Sequence, residues 1–226
     1  MHTHHIMQSI SSLVECAHKI AQGHQPEEER ARHVIALSAG TGTDGAEVGK
    51  ILADRLGMSL FNRDIVELLA RETDMHKGTI ERMDERGDGF KGAWLYSILT
   101  GLNISRDNYL KNLTHVIRGI AACKGGIILG RGGSFILSDL PVLRAHIVGS
   151  LPVCAERLMT QEGITRKEAE RKIQETDKSR GEYLKNLFQC DNNDPRHYDL
   201  VINSDHLAPA RIAGLIIEAR RHITFE

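Results

Sequence analysis

Residues 34–49 read VIALSAGTGTDGAEVG, an apolar run followed by a glycine-rich turn and an amphipathic segment. The run at 34–37 has the composition of a buried parallel strand. From Gly45 onward, apolar side chains recur every three or four positions, which predicts a helix. A glycine-rich turn that ends at a helix N-terminus presents backbone N–H groups and the positive end of the helix dipole. The segment therefore predicts an anion site, with phosphate as the expected anion.

The first and sixth residues of this turn, Gly40 and Gly45, have the G-x-x-x-x-G spacing of a phosphate-binding loop. Such a loop continues with Lys and then Ser or Thr, whereas this chain has Ala46 and Glu47. The pattern still favours a phosphate cradle, and the alternative is a tight turn that binds no ligand. The predicted cradle consists of Gly40, Thr41, Gly42, Thr43, Asp44, Gly45, Ala46 and Glu47.

Composition excludes several functional classes. At 226 residues the chain has the size of one α/β domain with additions. Its formal net charge of −1 gives no indication of a nucleic-acid or membrane partner. No apolar run approaches the ~20 residues of a membrane span, and the N-terminus lacks the pattern of a secretory signal. Four cysteines without metal-site or disulfide spacing fit a reducing compartment. We expect a cytoplasmic protein.

The first 32 residues are predicted to be an extension of the main domain. A capping-box spacing at Ser12–Glu15 precedes apolar residues at helical intervals. The segment from Gly23 to Arg32 is polar and is interpreted as a linker. The apolar face of the predicted helix must be buried either on the domain or on a second copy of the chain. The second case would be a homodimer formed through this helix.

Strands and helices alternate along the rest of the chain. Such an order predicts a right-handed parallel sheet, whose ligands bind at the carboxyl ends of the strands. Arg63 follows the second predicted strand, and Arg131 follows the third. The planar guanidinium of Arg131 would suit bidentate phosphate binding. The alternative is an ion pair with a carboxylate such as Asp139.

A long charged helix is predicted over 165–187, with a capping box at Thr165–Glu168. Charged helices are usually solvated. A lid that closes basic side chains over phosphates would have the same composition, so the pattern leaves both interpretations open.

Several short motifs together resemble the cytidylate kinase-like family, a branch of the P-loop nucleoside monophosphate kinases. The resemblance extends from about Val34 to Arg220, and it depends on the order and spacing of the motifs. These motifs are GAEVG at 45–49, FNRDI at 61–65, ILGRG at 128–132, DKSR at 177–180 and YDLVIN at 198–203.

The resemblance implies a three-layer α/β P-loop kinase fold with a central parallel sheet over residues 33–226. It also implies a helical substrate insert at about 73–122 and a helical lid at about 160–195. The activity would be phosphoryl transfer from ATP, with Mg²⁺, to a small phosphorylated acceptor such as CMP.

By the same resemblance, Arg131 matches the arginine that holds the acceptor phosphate, and Arg180 matches a lid arginine that neutralises the transferring phosphates. Asp177 falls near the aspartate of the lid. Arg63 is the candidate substitute for the missing cation of the phosphate loop. The loop from Gly40 to Glu47 matches the phosphate cradle.

The chain also departs from the family pattern. A basic residue is expected where it has Ala46, and another where it has Ala39. Asp44 adds a carboxylate to the loop, Glu47 replaces a hydroxyl residue, and Asn62 stands where the family usually has Asp. The first hypothesis is therefore a nucleotide-dependent kinase of nucleoside monophosphates. The second is a nucleotide-binding or regulatory protein that has lost turnover, and the third is a kinase with a non-nucleotide acceptor.

Overall fold

The computed structural model describes residues 33–62, 106–123 and 125–223. The strands in this part of the chain are β1 (Val34–Ala39), β2 (Leu60–Phe61), β3 (Gly126–Leu129), β4 (Leu143–Val148) and β5 (Leu200–Asn203). The helices are α1 (Gly45–Leu56), α2 (Arg106–Cys123), α3 (Gly133–Ile136), α4 (Leu151–Glu162), α5 (Arg166–Phe188) and α6 (Pro209–His222). A short 3₁₀ helix spans Pro195–His197.

All described strands are parallel and form one sheet in the order β2-β3-β1-β4-β5. The strand predicted from the glycine-rich segment, β1, is therefore central, with Leu37 beside Leu129 of β3 and Ala39 beside Ile147 of β4. Because the strands are parallel, their carboxyl ends meet at one edge of the sheet. The glycine-rich turn after β1 and the turn after β3 lie next to each other at that edge.

Helices cover both faces of the sheet. On one face, α1 and α6 pack on alternate residues of β1 and β4, such as Leu37 and Ile147. On the other face, α2 and α3 pack on Val34 and Ile128. Apolar residues that point both ways from a parallel strand require this arrangement. The result is a three-layer α/β/α domain.

The charged segment forms one continuous helix, α5. Its capping box is present as predicted, because the Thr165 hydroxyl accepts from the Glu168 backbone N–H and the Glu168 carboxylate accepts from the Thr165 N–H. The helix buries Ala169 and Ile173 against α4. Further along α5, Asp177 and Arg180 contact the turn after β1, and Leu184 and Phe188 lie beside Gly132 in the turn after β3.

Several predictions fall outside the described residues: the N-terminal extension 1–32, Arg63 and the part of the insert at 73–105. The helix at the end of that predicted insert, α2, packs on the sheet through side chains such as Leu113 and Ile117. No helix in the described part of the chain is long and apolar enough to cross a membrane.

Candidate functional site

The glycine-rich turn is docked tightly on its surroundings. The Gly40 N–H donates to the Ile147 carbonyl of β4 at 3.0 Å, and the Thr43 hydroxyl donates to the Gly40 carbonyl at 2.7 Å. Gly42 has a φ of +78°, and a Cβ there would lie 2.6 Å from the Cys154 carbonyl oxygen of α4. Glycine at this position is thus required both by the backbone conformation and by close contact with α4.

Helix α1 begins directly after this turn with an open N-terminus. Its N-cap residue, Asp44, has a left-handed φ of 59° and makes no side-chain capping bond. The first backbone N–H groups of a helix have no partner inside that helix. The amides of Gly45, Ala46 and Glu47 therefore stand at the edge of the sheet where an anion would be favoured.

The Asp44 carboxylate is held by α4. It lies 3.4 Å from Arg157 Nε and accepts from Gln161 Nε2 at 2.7 Å. The negative charge that Asp44 adds to the loop is thus compensated by an arginine for which the sequence predicted no role.

Arg157 also ties the loop to the end of β5. Its Nη2 donates to the Ser204 carbonyl at 2.6 Å, and its Nη1 donates to the Ser204 hydroxyl at 2.9 Å. Nη1 lies 3.5 Å from the Gly42 carbonyl oxygen. The position of Arg157 beside the loop could have been predicted from the order of elements, since α4 follows β4 and must begin at the same edge of the sheet as the glycine loop.

Two residues of α5, Asp177 and Arg180, contact the glycine loop. The Asp177 carboxylate accepts from the Thr41 N–H at 3.1 Å and from the Thr41 hydroxyl at 2.7 Å. Arg180 Nη1 lies 3.1 Å from the Thr41 hydroxyl oxygen and 3.3 Å from the Ala39 carbonyl oxygen. The structure therefore brings together three of the residues singled out in the sequence, although they lie far apart along the chain.

The turn after β3 carries Arg131 in the left-handed region, at a φ of 59°. Burial lowers the pKa of Arg131; the neighbouring Tyr183 opposes this shift, and the charge of Arg180 adds to it. The two guanidinium groups are thus close enough for their positive charges to repel each other. The alternative partner considered from sequence, Asp139, accepts through both oxygens from Arg118 at 2.6 Å.

An aromatic cluster lies behind this second turn. Phe135 of α3 stacks on Phe188 of α5 with ring centroids 5.5 Å apart, and it meets Tyr198 edge-on at 6.4 Å. Tyr198 in turn stacks on His146 of β4 at 4.6 Å. Burial lowers the pKa of His146, while its hydrogen bond to the Ser38 backbone and the charge of Asp177 oppose the shift. No local sequence pattern indicates this cluster.

Lys50, which follows the loop by one helical turn, is a second candidate substitute for the missing loop lysine, but its side chain is directed elsewhere. Its Nζ lies 3.4 Å from Glu47 Oε2, and both side chains are more than half exposed. The other candidate, Arg63, lies outside the described residues.

Comparison with known proteins agrees with this geometry. The model of the cytidylate kinase-like family matches residues 34–206, from the first residue of β1 to beyond the end of β5. The chain belongs to the cytidylate kinase-like family. The matched range contains the glycine loop, Arg131, Arg157 and the α5 residues on the loop, so the predicted α/β P-loop kinase fold is confirmed.

Individual relatives match only part of the chain, at moderate sequence identity. The cytidylate kinase of Methanopyrus kandleri is 36% identical over 94 residues, which cover 37% of this chain and 49% of that protein. The cytidylate kinase of Pyrococcus horikoshii is 34% identical over 109 residues, which cover 47% of this chain and 56% of that protein. The chain thus spans about half the length of these curated relatives.

A solved structure gives a fuller match. An uncharacterised protein from Eubacterium ventriosum is 25% identical, with a TM-score of 0.64. The match covers 84% of this chain and 98% of that one. The similarity therefore extends over nearly the whole of that solved chain.

Proposed function

We propose that the protein is a nucleotide-dependent phosphotransferase that transfers a phosphoryl group from ATP to a nucleoside monophosphate such as CMP. The observation that carries this proposal is the convergence of Arg180 with the glycine loop at the carboxyl edge of the sheet. Arg131 follows the neighbouring strand and interacts electrostatically with Arg180. Phosphoryl transfer depends on positioning and on charge stabilisation, and both require such a convergence of cations and amides.

In this proposal the phosphates of the donor and the phosphate of the acceptor are bound by different groups. The amides of Gly45, Ala46 and Glu47 at the α1 N-terminus bind the donor phosphates. Arg131 binds the acceptor phosphate through its planar fork. Arg180 stabilises the negative charge of the phosphoryl group as it passes from donor to acceptor. Closure of α5 over the site excludes water and limits hydrolysis of the donor.

The residues at the loop fit a magnesium ion that arrives with ATP. Such an ion is bound by one or two carboxylates together with substrate phosphates. Asp44 is held by Arg157 and Gln161, and Glu47 faces solvent beside Lys50. Asp177 is also paired, with Thr41 and Arg180, but it lies on the loop itself and would hold the ion once a ligand phosphate takes its place at the Thr41 N–H. When bound, Mg²⁺ neutralises charge on the phosphates.

The test is ADP release from Mg·ATP with CMP, dCMP, UMP, AMP and GMP in turn. We expect one monophosphate to stimulate release. Arg131→Ala should raise the KM for that acceptor by about 100-fold, because a charge-assisted bidentate contact is lost, and should leave the KM for ATP nearly unchanged. Arg118→Ala is the matched control, since Arg118 pairs with Asp139. Equal changes in both KM values would refute the role of Arg131.

A second candidate is a nucleotide-binding protein without turnover. It is favoured by Ala46 and Ala39, which stand where cations are expected, and by Lys50, which is directed towards Glu47. Its signature would be a rise in melting temperature with ATP but no acceptor-stimulated ADP release. A kinase that acts on a non-nucleotide acceptor would instead release ADP only with acceptors outside the panel.

A further inference from the structure

A carboxylate already occupies part of the predicted phosphate cradle. Asp177 Oδ1 lies 3.1 Å from the Thr41 backbone nitrogen and 2.7 Å from the Thr41 hydroxyl oxygen. Its other oxygen, Oδ2, lies 3.4 Å from the same nitrogen. A backbone N–H in a glycine-rich loop is the kind of donor that binds a phosphate oxygen. Asp177 therefore satisfies, from within the chain, a donor that a ligand phosphate would otherwise use.

Few positive charges offset the Asp177 carboxylate at this contact. The cation nearest to Asp177 on its own helix is Arg180, whose Nη1 lies 3.5 Å from Asp177 Oδ1. The loop itself contributes no lysine, because Ala46 stands at that position. An anionic ligand that approaches Thr41 thus meets a carboxylate directly, and the compensating guanidinium is shared with that carboxylate.

We propose that Asp177 is a specificity-determining residue that makes the loop select metal-bound nucleotide over free nucleotide. A free polyphosphate must displace the carboxylate from the Thr41 N–H and is repelled by its charge. When the nucleotide carries a divalent cation, that positively charged cation can face the same carboxylate. This inference rests on the proposed function, since it assumes that the loop binds a nucleoside triphosphate.

The experiment measures the dissociation constant of ATP by calorimetry, once with excess Mg²⁺ and once with EDTA. The wild-type chain is compared with Asp177→Asn, which retains an oxygen that can accept from Thr41 and removes only the charge. Glu175→Gln is the matched control, because it removes the same charge from an exposed position two residues away on α5. Inorganic tripolyphosphate in EDTA is the second probe and reports on the phosphate site without the nucleoside.

In EDTA, we expect Asp177→Asn to bind ATP and tripolyphosphate about tenfold more tightly than the wild type. One unit charge removed from a partly screened site near the ligand has an effect of this size. With Mg²⁺ the gain should vanish, so that the preference of the wild type for Mg·ATP is lost in the variant. Glu175→Gln should keep the wild-type preference.

Two results would overturn the inference in distinguishable ways. If the wild type and Asp177→Asn bind free ATP equally well, Asp177 does not select the metal complex, and the proposed kinase function is unaffected. If neither protein binds ATP with or without Mg²⁺, the loop does not hold a nucleotide and both proposals fail.

Discussion

The turn after β1 and the turn after β3 lie side by side, and each places one non-glycine residue at a φ of 59°. In the first turn that residue is Asp44, whose carboxylate is bound by α4. In the second it is Arg131, whose guanidinium is partly buried beside Tyr183 and Arg180. The two turns thus share a backbone feature and carry opposite charges.

The helices that follow the two turns also differ. The first turn leads into α1, a helix of 12 residues, whereas the second leads into α3, a helix of four. The partial charge at a helix end comes from the aligned peptide dipoles, and a single turn supplies few of them. In the proposed function, the first turn binds an anion through its backbone amides, and the second turn binds one through the side chain of Arg131.

The largest effect that would test this comparison is expected from one glycine of each turn. Gly42 and Gly130 have nearly the same φ, +78° and +77°. A Cβ at Gly130 meets nothing within 4 Å, whereas a Cβ at Gly42 would lie 2.6 Å from the Cys154 carbonyl oxygen. Gly130→Ala should cost about 1 kcal/mol of unfolding free energy through backbone strain alone. Gly42→Ala should cost about 3 kcal/mol or more because overpacking adds to that strain.

Urea unfolding of the two variants measures this difference directly. Because the two φ angles are nearly equal, we expect similar backbone penalties, so the excess loss in Gly42→Ala reports the contact between the first turn and α4. Equal losses would show that this turn is not held against α4.

The glycine-rich turn after β1 could be predicted from the sequence, but the side-chain partners of the two turns could not. The apolar run before Gly40 and the spacing of apolar residues after Gly45 specify β1 and α1, because period and glycine content act locally. The capping box at Thr165 was predictable for the same reason. The pairing of Asp44 with Arg157 depends on how α4 lies against the loop, which is a tertiary property.

The aromatic cluster illustrates the same limit. Phe135, His146, Phe188 and Tyr198 come from four separate segments and share no local pattern. Each alone has the pattern of an ordinary core or surface residue. Only the parallel sheet brings them together behind Arg131. The sequence therefore predicted the strand, turn and helices that carry the candidate phosphate contacts, but not the residues that support them.

A smaller effect is expected when the charge of the first turn is removed. Asp44→Asn keeps an oxygen for Gln161 and tolerates the left-handed backbone, but loses the ion pair with Arg157, whose side chain is 22% exposed. Stability should fall by about 1 kcal/mol. Affinity for free ATP should rise about two- to threefold, because a negative charge leaves the base of the loop.

The control for this variant is Asp199→Asn, which removes a carboxylate bound by Arg144 before β5. It should lose stability without any change in ATP affinity. Denaturation and calorimetry on both proteins separate the two effects. If Asp44→Asn binds ATP more weakly, the carboxylate is needed to shape the cradle, and its compensation by Arg157 is not the main role of the pair.

The smallest effect is expected behind the second turn, at His146. Burial lowers its folded-state pKa below the value of about 6.5 for an unfolded chain. Below pH 6.5 the unfolded chain therefore binds a proton that the folded chain does not, and stability falls with pH until the folded pKa is reached. His146→Phe retains a ring to stack on Tyr198 and removes the titration. Between pH 7 and 5.5 it should lose up to about 1 kcal/mol less stability than the wild type.

The location of this effect bears on the comparison of the two turns. His146 stacks on Tyr198, and Tyr198 contacts Phe135 of α3. A proton on His146 should therefore loosen residues 130–136 before it loosens residues 40–46, and hydrogen exchange at pH 5.5 and pH 7 measures both segments in one experiment. Equal loosening would mean that the two turns are supported by one common packing unit, since His146 also lies beside Ser38 of β1. Loosening confined to the second turn would show that the backbone cradle and the arginine turn have separate supports.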